Sequence, residues 1–348
     1  MKDWTEQVLE WYLQNKRDFP WRRKKDPYHV WISEIMLQQT RIEAVISYYN
    51  RFMKEIPTVF DLAEIEEEKL LKLWEGLGYY NRARNLRKAA KIIVSKYQGK
   101  FPSTYLELLE LPGIGEYTAG AISSICFGEK KATVDGNVLR VYMRYHNDKS
   151  NISDAKTRAF VKTKLESILP DNPGDFNEGI MELGEVVCIP NGIPLCSSCP
   201  IREGCLARRE NTYLDLPIKN KKKEQKKINY TVLLLEYQDK IAIAKRVNKS
   251  LLNNLWEFPN LEGKYSLSDM KNYLDNRNIK YDSIEKSISY THVFSHQKWD
   301  MISYKVKLKE KLEDSDIIMR DIKEISEEYA IPTAFQPFFQ SLIKENTK

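Results

Sequence analysis

The sequence has no long run of apolar side chains, although 42% of its 348 residues are hydrophobic. No stretch approaches the roughly 20 consecutive apolar residues that a membrane-spanning helix requires. The first residues are charged and lead directly into an amphipathic pattern, so the apolar core of a secretion signal is also missing. We therefore expect a soluble, cytoplasmic protein that has no membrane partner.

A strong charge of one sign is missing as well, because the formal net charge is only +6. Such a value permits a polyanionic partner, but it is equally common in proteins that never touch nucleic acid. The sequence also has no internal repeat and no long low-complexity tract, which argues against a repeat protein. The length fits about two domains.

The spacing of apolar residues differs on the two sides of a basic segment. Up to about residue 209, apolar residues recur at every third or fourth position, for example over 30–52 and 70–96, which predicts helices. Residues 216–227 contain a proline and six lysines and predict a linker. This segment is either a solvated spacer or a contact with a polyanion.

Beyond the linker the apolar period shortens, and residues 230–236 and 240–246 predict a β-hairpin. Another strand over 299–306 and helices over 268–276 and 336–344 complete the pattern. The predicted fold is therefore a mainly α domain over residues 1–215, the linker 216–227, and an α+β domain over 228–348.

Only five cysteines are present, and four of them lie within eighteen residues. The fifth, Cys126, lies in an apolar helical pattern, and we expect it to be a buried, small hydrophobic residue. Four clustered thiols in a cytoplasmic chain favour a metal site over disulfides. Their spacing is compatible with either an iron–sulfur cluster or a structural zinc ion. The candidate ligands are Cys188, Cys196, Cys199 and Cys205.

Two glycines, Gly113 and Gly115, interrupt a helical pattern within residues 111–121, and another helix begins directly after them. Glycines let the backbone approach a ligand closely, and the amides at the start of a helix bind anions such as a phosphate. The segment predicts a hairpin between two helices over residues 106–125, although a plain connecting turn would leave the same pattern.

The hairpin, the segment 134–137 and the cysteine loop together resemble the endonuclease III superfamily. Residues 19–22, 33–40 and 76–84 are similar to its adenine glycosylases, the MutY family. The resemblance implies a helix-hairpin-helix glycosylase with a [4Fe–4S] cluster, and a monovalent or calcium ion at the hairpin. One departure is visible, because the first gap between cysteines has seven residues where six are usual in the family.

Glu34 lies in an apolar helical run, so burial should raise the pKa of its carboxyl and suit it to act as a general acid. By resemblance, Glu34 protonates adenine at N7 and Asp135 stabilises the positive charge that develops on the sugar. The resemblance also places Asn137 in the catalytic set, together with Tyr117. Tyr117 stands where the lyases of the superfamily carry a lysine, so we predict a monofunctional glycosylase. A packed aromatic is the alternative for Tyr117.

An enzyme that acts on a base in a duplex must flip that base out and fill the gap it leaves. By resemblance, Gln39 and Tyr79 intercalate, while Trp21, Arg22 and Glu178 line the adenine pocket. Core packing is an equally good explanation for Trp21. The expected substrate is double-stranded DNA in which adenine lies opposite 8-oxoguanine or guanine, bound by a monomer in the bacterial nucleoid.

The C-terminal module resembles a Nudix fold that has been adapted to read the opposite base. Its motif Phe294-Ser295-His296 is similar to the family's 8-oxoguanine loop, where Ser295 would accept a hydrogen bond from N7–H and Phe294 would wedge between bases. A nucleotide diphosphatase is the alternative, but residues 263–290 lack its Arg-Glu-x-x-x-Glu-Glu cluster. A noncatalytic DNA-binding protein that uses the hairpin is the third possibility.

Overall fold

The computed structural model describes residues 3–220, 224–247 and 251–346. The chain divides into two compact units, Met1–Glu64 with Asn85–Lys221, and Ile65–Arg84 with Lys222–Lys348. Among the described residues, no helix is long and apolar enough to cross a membrane. The predicted fold class, a helical domain followed by an α+β domain, is confirmed.

Helices dominate the N-terminal part of the chain. In chain order they are α1 (Trp4–Asn15), α2 (Pro27–Leu37), α3 (Ile42–Glu55), α4 (Val59–Glu64), α5 (Glu67–Leu73), α6 (Asn81–Tyr97), α7 (Tyr105–Leu109), α8 (Glu116–Phe127), α9 (Gly136–His146), α10 (Ala155–Glu166), α11 (Pro173–Val186) and α12 (Leu206–Arg209). Short 3-10 helices span Pro20–Arg22 and Cys196–Ser198. α7 and α8 flank the predicted hairpin.

Each of the two long apolar runs that predict helices contains a break in the structure. The run over 30–52 breaks between α2 and α3, where Gln39 has a φ of +58°, and the run over 70–96 breaks between α5 and α6, where Tyr79 has a φ of +49°. A left-handed backbone cannot continue a right-handed helix. The apolar spacing predicted helices in both ranges but did not reveal these breaks, because it persists across each of them.

Helix α11 is the central element of the first unit and packs on α1, α8 and α9. Its side chains Phe176, Ile180 and Leu183 are fully buried. Glycines allow its neighbours to approach closely. A Cβ on Gly179 would lie 2.9 Å from Cβ of Tyr12 on α1, and one on Gly184 would lie 2.8 Å from Cβ of Asn137 on α9.

The second unit contains a mixed sheet with helices on both faces. Its strands are β1 (Lys226–Tyr237), β2 (Lys240–Lys245), β3 (Trp256–Glu257), β4 (Asn260–Glu262), β5 (Tyr281–Val293), β6 (Gln297–Leu308) and β7 (Ile317–Asp321), and its C-terminal helices are α13 (Leu267–Asn276), α14 (Ile322–Glu328) and α15 (Gln336–Asn346). The strand order is β3-β2-β1-β6-β5, with β4 paired to β1 and β7 paired to β2, and only β1 and β6 run parallel.

Strand β1 supplies both apolar layers of this unit. Val232 and Leu234 face one core, together with Phe338 of α15. Leu233 and Leu235 face the other core, together with Leu274 of α13. This alternation follows from the two-residue period of a strand. The strand was therefore predicted correctly, although it begins earlier than residue 230.

The domain limits differ from the predicted ones in two respects. Residues 65–84 belong to the C-terminal unit rather than to a first domain over 1–215. Both ends of the segment 216–227 are also packed: Leu216 is buried and its carbonyl accepts a hydrogen bond from Nε of Arg144 at 2.9 Å, while Lys226 begins β1. Its middle residues, 221–223, lie outside the described residues.

The hairpin glycines give a direct test of the fold. Gly113 has a φ of +80°, and a Cβ there would lie 2.6 Å from Cβ of Asn85. We expect Gly113→Ala to lower the free energy of unfolding by about 1–3 kcal/mol, as measured by urea denaturation. Gly115→Ala is the matched control, because its φ is −93° and nothing lies within 4 Å of its Cβ. Equal losses in both variants would contradict the assignment of strain to Gly113.

Candidate active site

Glu34 is a buried carboxyl of the first unit. It lies on α2, whose first turn is capped by Asp26, and only 9% of the residue is exposed. Burial raises the pKa of Glu34 to about 7, and the nearby charges of Glu178 and Asp135 act in the same direction. Tyr117 and Arg22 oppose the shift. At neutral pH a substantial fraction of this carboxyl is therefore protonated.

Glu34 lines a pocket of about 130 Å³. The pocket brings together four residues that the sequence analysis singled out, namely Trp21, Arg22, Glu34 and Glu178. Tyr12 of α1 also lines it, and so do Ser33 and Ile125.

Charged groups on α11 and on the segment before α2 form a hydrogen-bonded ladder beside the pocket. Arg22 donates from Nε to Glu178 Oε1 at 3.1 Å and from Nη2 to Glu182 Oε2 at 2.9 Å. Tyr12 donates from its hydroxyl to the other oxygen of Glu178 at 2.9 Å. Arg17 pairs with Glu182 and, at 2.7 Å, with Glu185. Both oxygens of Glu178 thus have donors, which fixes its carboxylate.

Trp21 combines the two roles that the sequence left open. Only 6% of it is exposed, and its ring stacks on Phe19 with centroids 5.0 Å apart and meets Tyr49 edge-on at 5.3 Å. The same side chain lines the pocket. It is a packed core residue whose accessible edge belongs to the site.

Asp135 occupies the first position before α9 and caps that helix. Its Oδ1 accepts from the backbone N–H groups of Asn137 at 2.9 Å and Val138 at 2.8 Å, and its Oδ2 accepts from Nδ2 of Asn137 at 2.8 Å. Burial raises the pKa of Asp135, while these three donors oppose the shift because they favour the charged form.

Arg140 ties this cap to the cysteine loop. Its Nη2 donates to Oδ1 of Asn137 at 2.8 Å and to the carbonyl of Gly184 at 2.7 Å, and its Nε donates to the carbonyl of Cys188 at 2.7 Å. The amide of Asn137 is therefore held between Arg140 and Asp135. Arg140 was not singled out by the sequence, where it resembles any helical arginine.

Tyr117 lies on the first turn of α8 and interacts with the carboxyls of Glu34 and Asp135. Its hydroxyl contacts Sδ of Met181 at 3.0 Å. Burial and the charges of Glu34 and Asp135 hold its pKa well above the ordinary value, so the phenol stays protonated. Tyr117 is a packed aromatic residue, and its hydroxyl group acts to lower the pKa of Glu34.

The four clustered cysteines line one pocket with Arg144 and Arg208. Nη1 of Arg144 lies 3.4 Å from Sγ of Cys188 and donates to the carbonyl of Ile189 at 2.9 Å. Across the described ranges, no three His, Cys, Asp or Glu side chains converge where a single metal ion could bind. Cys126 lies outside this pocket and is half-buried, which corrects the expectation that it is buried.

The exposed residues of the predicted DNA surface lie on turns. Gln39 and Tyr79 are both exposed, and both adopt a left-handed backbone that is rare for residues other than glycine. Gly113 and Gly115 of the hairpin are exposed too. Strain of this kind persists where the surrounding structure holds a side chain in a specific place.

The motif Phe294-Ser295-His296 forms the tip of the hairpin between β5 and β6. Ser295 and His296 are exposed, whereas Phe294 is half-buried and meets Trp299 edge-on at 4.7 Å. The amide of Phe294 donates to the carbonyl of Gln297 at 2.8 Å and closes the turn. The tip therefore presents Ser295 to solvent and packs Phe294 against the module.

Family comparisons agree with this architecture. Residues 32–167 match the HhH-GPD superfamily of base excision DNA repair proteins, and residues 230–341 match the NUDIX domain. The chain is 37% identical over 292 residues to the adenine DNA glycosylase of Buchnera aphidicola from Schizaphis graminum, an overlap of 83% of each chain. The chain belongs to the adenine DNA glycosylases.

Other members and neighbours of this family are similar to smaller parts of the chain. The Homo sapiens adenine DNA glycosylase is 36% identical over 309 residues, which cover 73% of this chain and 56% of that protein. Among solved structures, a thermostable thymine-DNA glycosylase is similar with a TM-score of 0.54 and 29% identity, over 60% of this chain and 95% of the other.

Two residues that hold Arg22 and Glu178 in place were missed by the sequence analysis. Tyr12 looked like one more apolar position of an amphipathic helix, and Glu182 looked like an ordinary helical carboxylate. A signal did exist for Glu182, since it follows Glu178 by four residues on the same helix and therefore shares its face.

The raised pKa of Glu34 predicts how its stability cost varies with pH. An ordinary glutamate ionises near 4.5, but Glu34 ionises near 7 in the folded glycosylase. The free energy of unfolding therefore carries no penalty from Glu34 below about pH 4.5. The penalty grows, and stability is lost, as the pH rises through about 7. We expect Glu34→Gln to exceed the wild type in free energy of unfolding at about pH 8, by on the order of 3 kcal/mol at most.

Urea denaturation at about pH 5 and about pH 8 measures this difference. Glu43→Gln, an exposed carboxylate on α3, is the control and should behave like the wild type at both values. A Glu34→Gln advantage that is the same at acid and alkaline pH would contradict the raised pKa.

Proposed function

We propose that this adenine DNA glycosylase hydrolyses the N-glycosidic bond of adenine that lies opposite 8-oxoguanine or guanine in duplex DNA. The single observation that carries the proposal is a buried carboxyl, Glu34, whose pKa of about 7 leaves it able to donate a proton at neutral pH. It lines a pocket together with Trp21, Arg22 and Glu178, and it lies in the field of a second carboxyl, Asp135.

The chemistry requires a proton on the leaving base and stabilisation of a positive sugar. Glu34 donates its proton to N7 of adenine, so the base leaves neutral as the bond to C1′ breaks. The C1′ carbon gains oxocarbenium character, which the Asp135 carboxylate stabilises. Water then adds to C1′ and loses a proton, leaving free adenine and an abasic site. Asn137 holds Asp135 through the bond between Nδ2 and Oδ2.

Base recognition is assigned to the pocket walls. Trp21 offers an aromatic edge, while Arg22 and Glu178 hold each other in a fixed geometry beside Glu34. A target base must leave the stack to reach this pocket. Gln39 and Tyr79 are proposed to fill the gap, which agrees with their exposure on strained turns.

Strand cleavage is not part of the proposed reaction. A phenol cannot form the Schiff base that β-elimination uses. Tyr117 is moreover kept protonated by burial.

The partner base is proposed to be read by the second unit. Ser295 is exposed at the tip of the β5–β6 hairpin, where its hydroxyl can accept a hydrogen bond. 8-Oxoguanine carries an N7–H donor that guanine lacks, so one hydroxyl suffices to tell them apart. Phe294 would have to leave Trp299 in order to wedge between bases.

The cysteine loop is proposed to hold a [4Fe–4S] cluster. The four thiols line one pocket, and four cysteine thiolates are the ligand set of a [4Fe–4S] cluster. Arg144 and Arg208 supply positive charge beside the thiolates. When bound, the cluster crosslinks the loop and so shapes a surface for the DNA backbone. The hairpin at Gly113 and Gly115 is proposed to bind a phosphate, with a monovalent or calcium ion.

Product analysis on duplexes that carry adenine opposite 8-oxoguanine, guanine, cytosine or thymine tests the function. We expect adenine release from the first two and an intact strand until alkali is added. Glu34→Gln should lower the single-turnover rate by about 10²–10⁴-fold. The wild-type rate should fall about tenfold per pH unit above the pKa of Glu34, which is about 7.

Glu43→Gln serves again as the control and should retain the wild-type rate. Adenine release that persists undiminished in Glu34→Gln would favour a different acid, and a complete lack of release in the wild type would leave only a DNA-binding protein. Strand cleavage at neutral pH, with an adduct trapped by borohydride, would exclude the monofunctional reaction.

Metal analysis tests the cofactor separately. We expect about four irons per chain and no stoichiometric zinc. Cys199→Ser should lose most of this iron, whereas Cys126→Ser should keep it, because Cys126 lies outside the cysteine pocket. One zinc per chain without iron would overturn the cluster assignment.

A further inference from the structure

The loop that carries Tyr79 is fixed internally by the residues on either side of it. Trp74, which is fully buried, donates from Nε1 to the carbonyl of Gly78 at 3.1 Å. Arg82 donates from Nη2 to the carbonyls of Leu77 at 2.9 Å and Gly78 at 3.1 Å. Tyr79 itself remains 46% exposed. The loop is therefore a rigid support for an outward-facing aromatic ring.

This loop is joined to the C-terminal module mainly through Glu75. Its Oε1 accepts from the backbone N–H of Ile331 at 2.8 Å and from Nε2 of Gln336 at 3.0 Å. Its Oε2 accepts from Lys72 at 2.7 Å, and Lys72 also donates to the carbonyl of Tyr329 at 3.0 Å. A carboxylate with three donors, only one-fifth exposed, is a specific joint rather than a surface ion pair.

A second joint closes the other end of the loop. Arg84 donates from Nη2 to the carbonyl of Asn253 at 2.6 Å and from Nε to Glu67 at 2.9 Å. Glu75 and Arg84 thus bracket residues 76–83, and both attach them to the same module. This agrees with the grouping of residues 65–84 in the second unit.

We propose that Glu75 is a positioning residue that fixes Tyr79 relative to the C-terminal module, so that the unit which reads the opposite base also sets where Tyr79 enters the DNA. The proposal rests on the proposed function, because it takes Tyr79 to intercalate and Ser295 to read the lesion. Glu75 touches neither base. It acts through the backbone of the turn that follows it.

A double-mutant cycle in the full-length protein tests this coupling. Single-turnover rates on duplexes with adenine opposite 8-oxoguanine and opposite guanine give a preference ratio for each variant. We expect Glu75→Ala, Tyr79→Ala and Ser295→Ala each to lower this ratio about tenfold. Glu75→Ala should cause no further loss in a Tyr79→Ala background, because both changes remove the same contribution.

The matched control is Glu68→Ala. Glu68 also links α5 to the module, through Lys245 at 2.7 Å, but it does not adjoin the turn. Its preference ratio should equal that of the wild type. Glu75→Gln keeps an oxygen for the N–H of Ile331 but loses the charge that pairs with Lys72, so its loss should be smaller than that of Glu75→Ala. If Glu75→Ala does not fold, the same cycle is run with Glu75→Gln.

A fluorescence readout separates positioning from general destabilisation. 2-Aminopurine placed next to 8-oxoguanine brightens when an inserted ring unstacks it. We expect this signal with the wild type and Glu68→Ala, and its loss with both Glu75→Ala and Tyr79→Ala at saturating protein. An unchanged ratio and signal in the folded Glu75 variant, or losses that add to those of Tyr79→Ala, overturn the proposal. Failure of the wild type to release adenine would instead overturn the proposed function.

Discussion

The close packing of α11 against its neighbours is the constraint on which the catalytic unit depends. Glycines at 179 and 184 replace side chains that would collide with Tyr12 and Asn137. Because these contacts are so close, the hydroxyl of Tyr12 reaches Glu178, and the carbonyl of Gly184 accepts from Arg140. Glu178 and the Asp135 cap are therefore placed by the same helix. A looser packing would separate the groups whose charges act on Glu34.

Glu34 and Asp135 are both buried carboxyls, but the hydrogen bonds that they receive differ. Glu34 is desolvated among like charges, so its protonated form is favoured. Asp135 is also desolvated, but three N–H donors stabilise its charged form. The hydrogen bonds at Asp135 therefore offset part of a desolvation that raises the pKa of both groups. The unfavourable burial of Glu34 is a local stability cost that the surrounding core offsets.

Much of this site could be predicted from local sequence, and what could not depends on distant contacts. An apolar run around Glu34 already implied its burial, and the spacing of the cysteines implied a shared site. Tyr12 and Arg140 gave no such signal, because an amphipathic helix has many residues of their kind. Strand β5 was missed for a related reason: it is an edge strand whose polar residues fall on both faces, so it lacks the continuous apolar run of β1.

The association of residues 65–84 with the second unit was the least predictable feature. Nothing in the spacing of α5 and α6 distinguishes them from the helices around them, since the deciding bonds join Glu75 and Arg84 to residues about 170–260 positions later. The consequence is functional. A deletion of residues 228–348 would remove the hairpin that is proposed to read the lesion and also the partners that hold the Tyr79 turn, so it could not separate the two proposed roles. A substitution at Ser295 or at Tyr79 alone can separate them, because neither removes the bonds that join Glu75 to the C-terminal module.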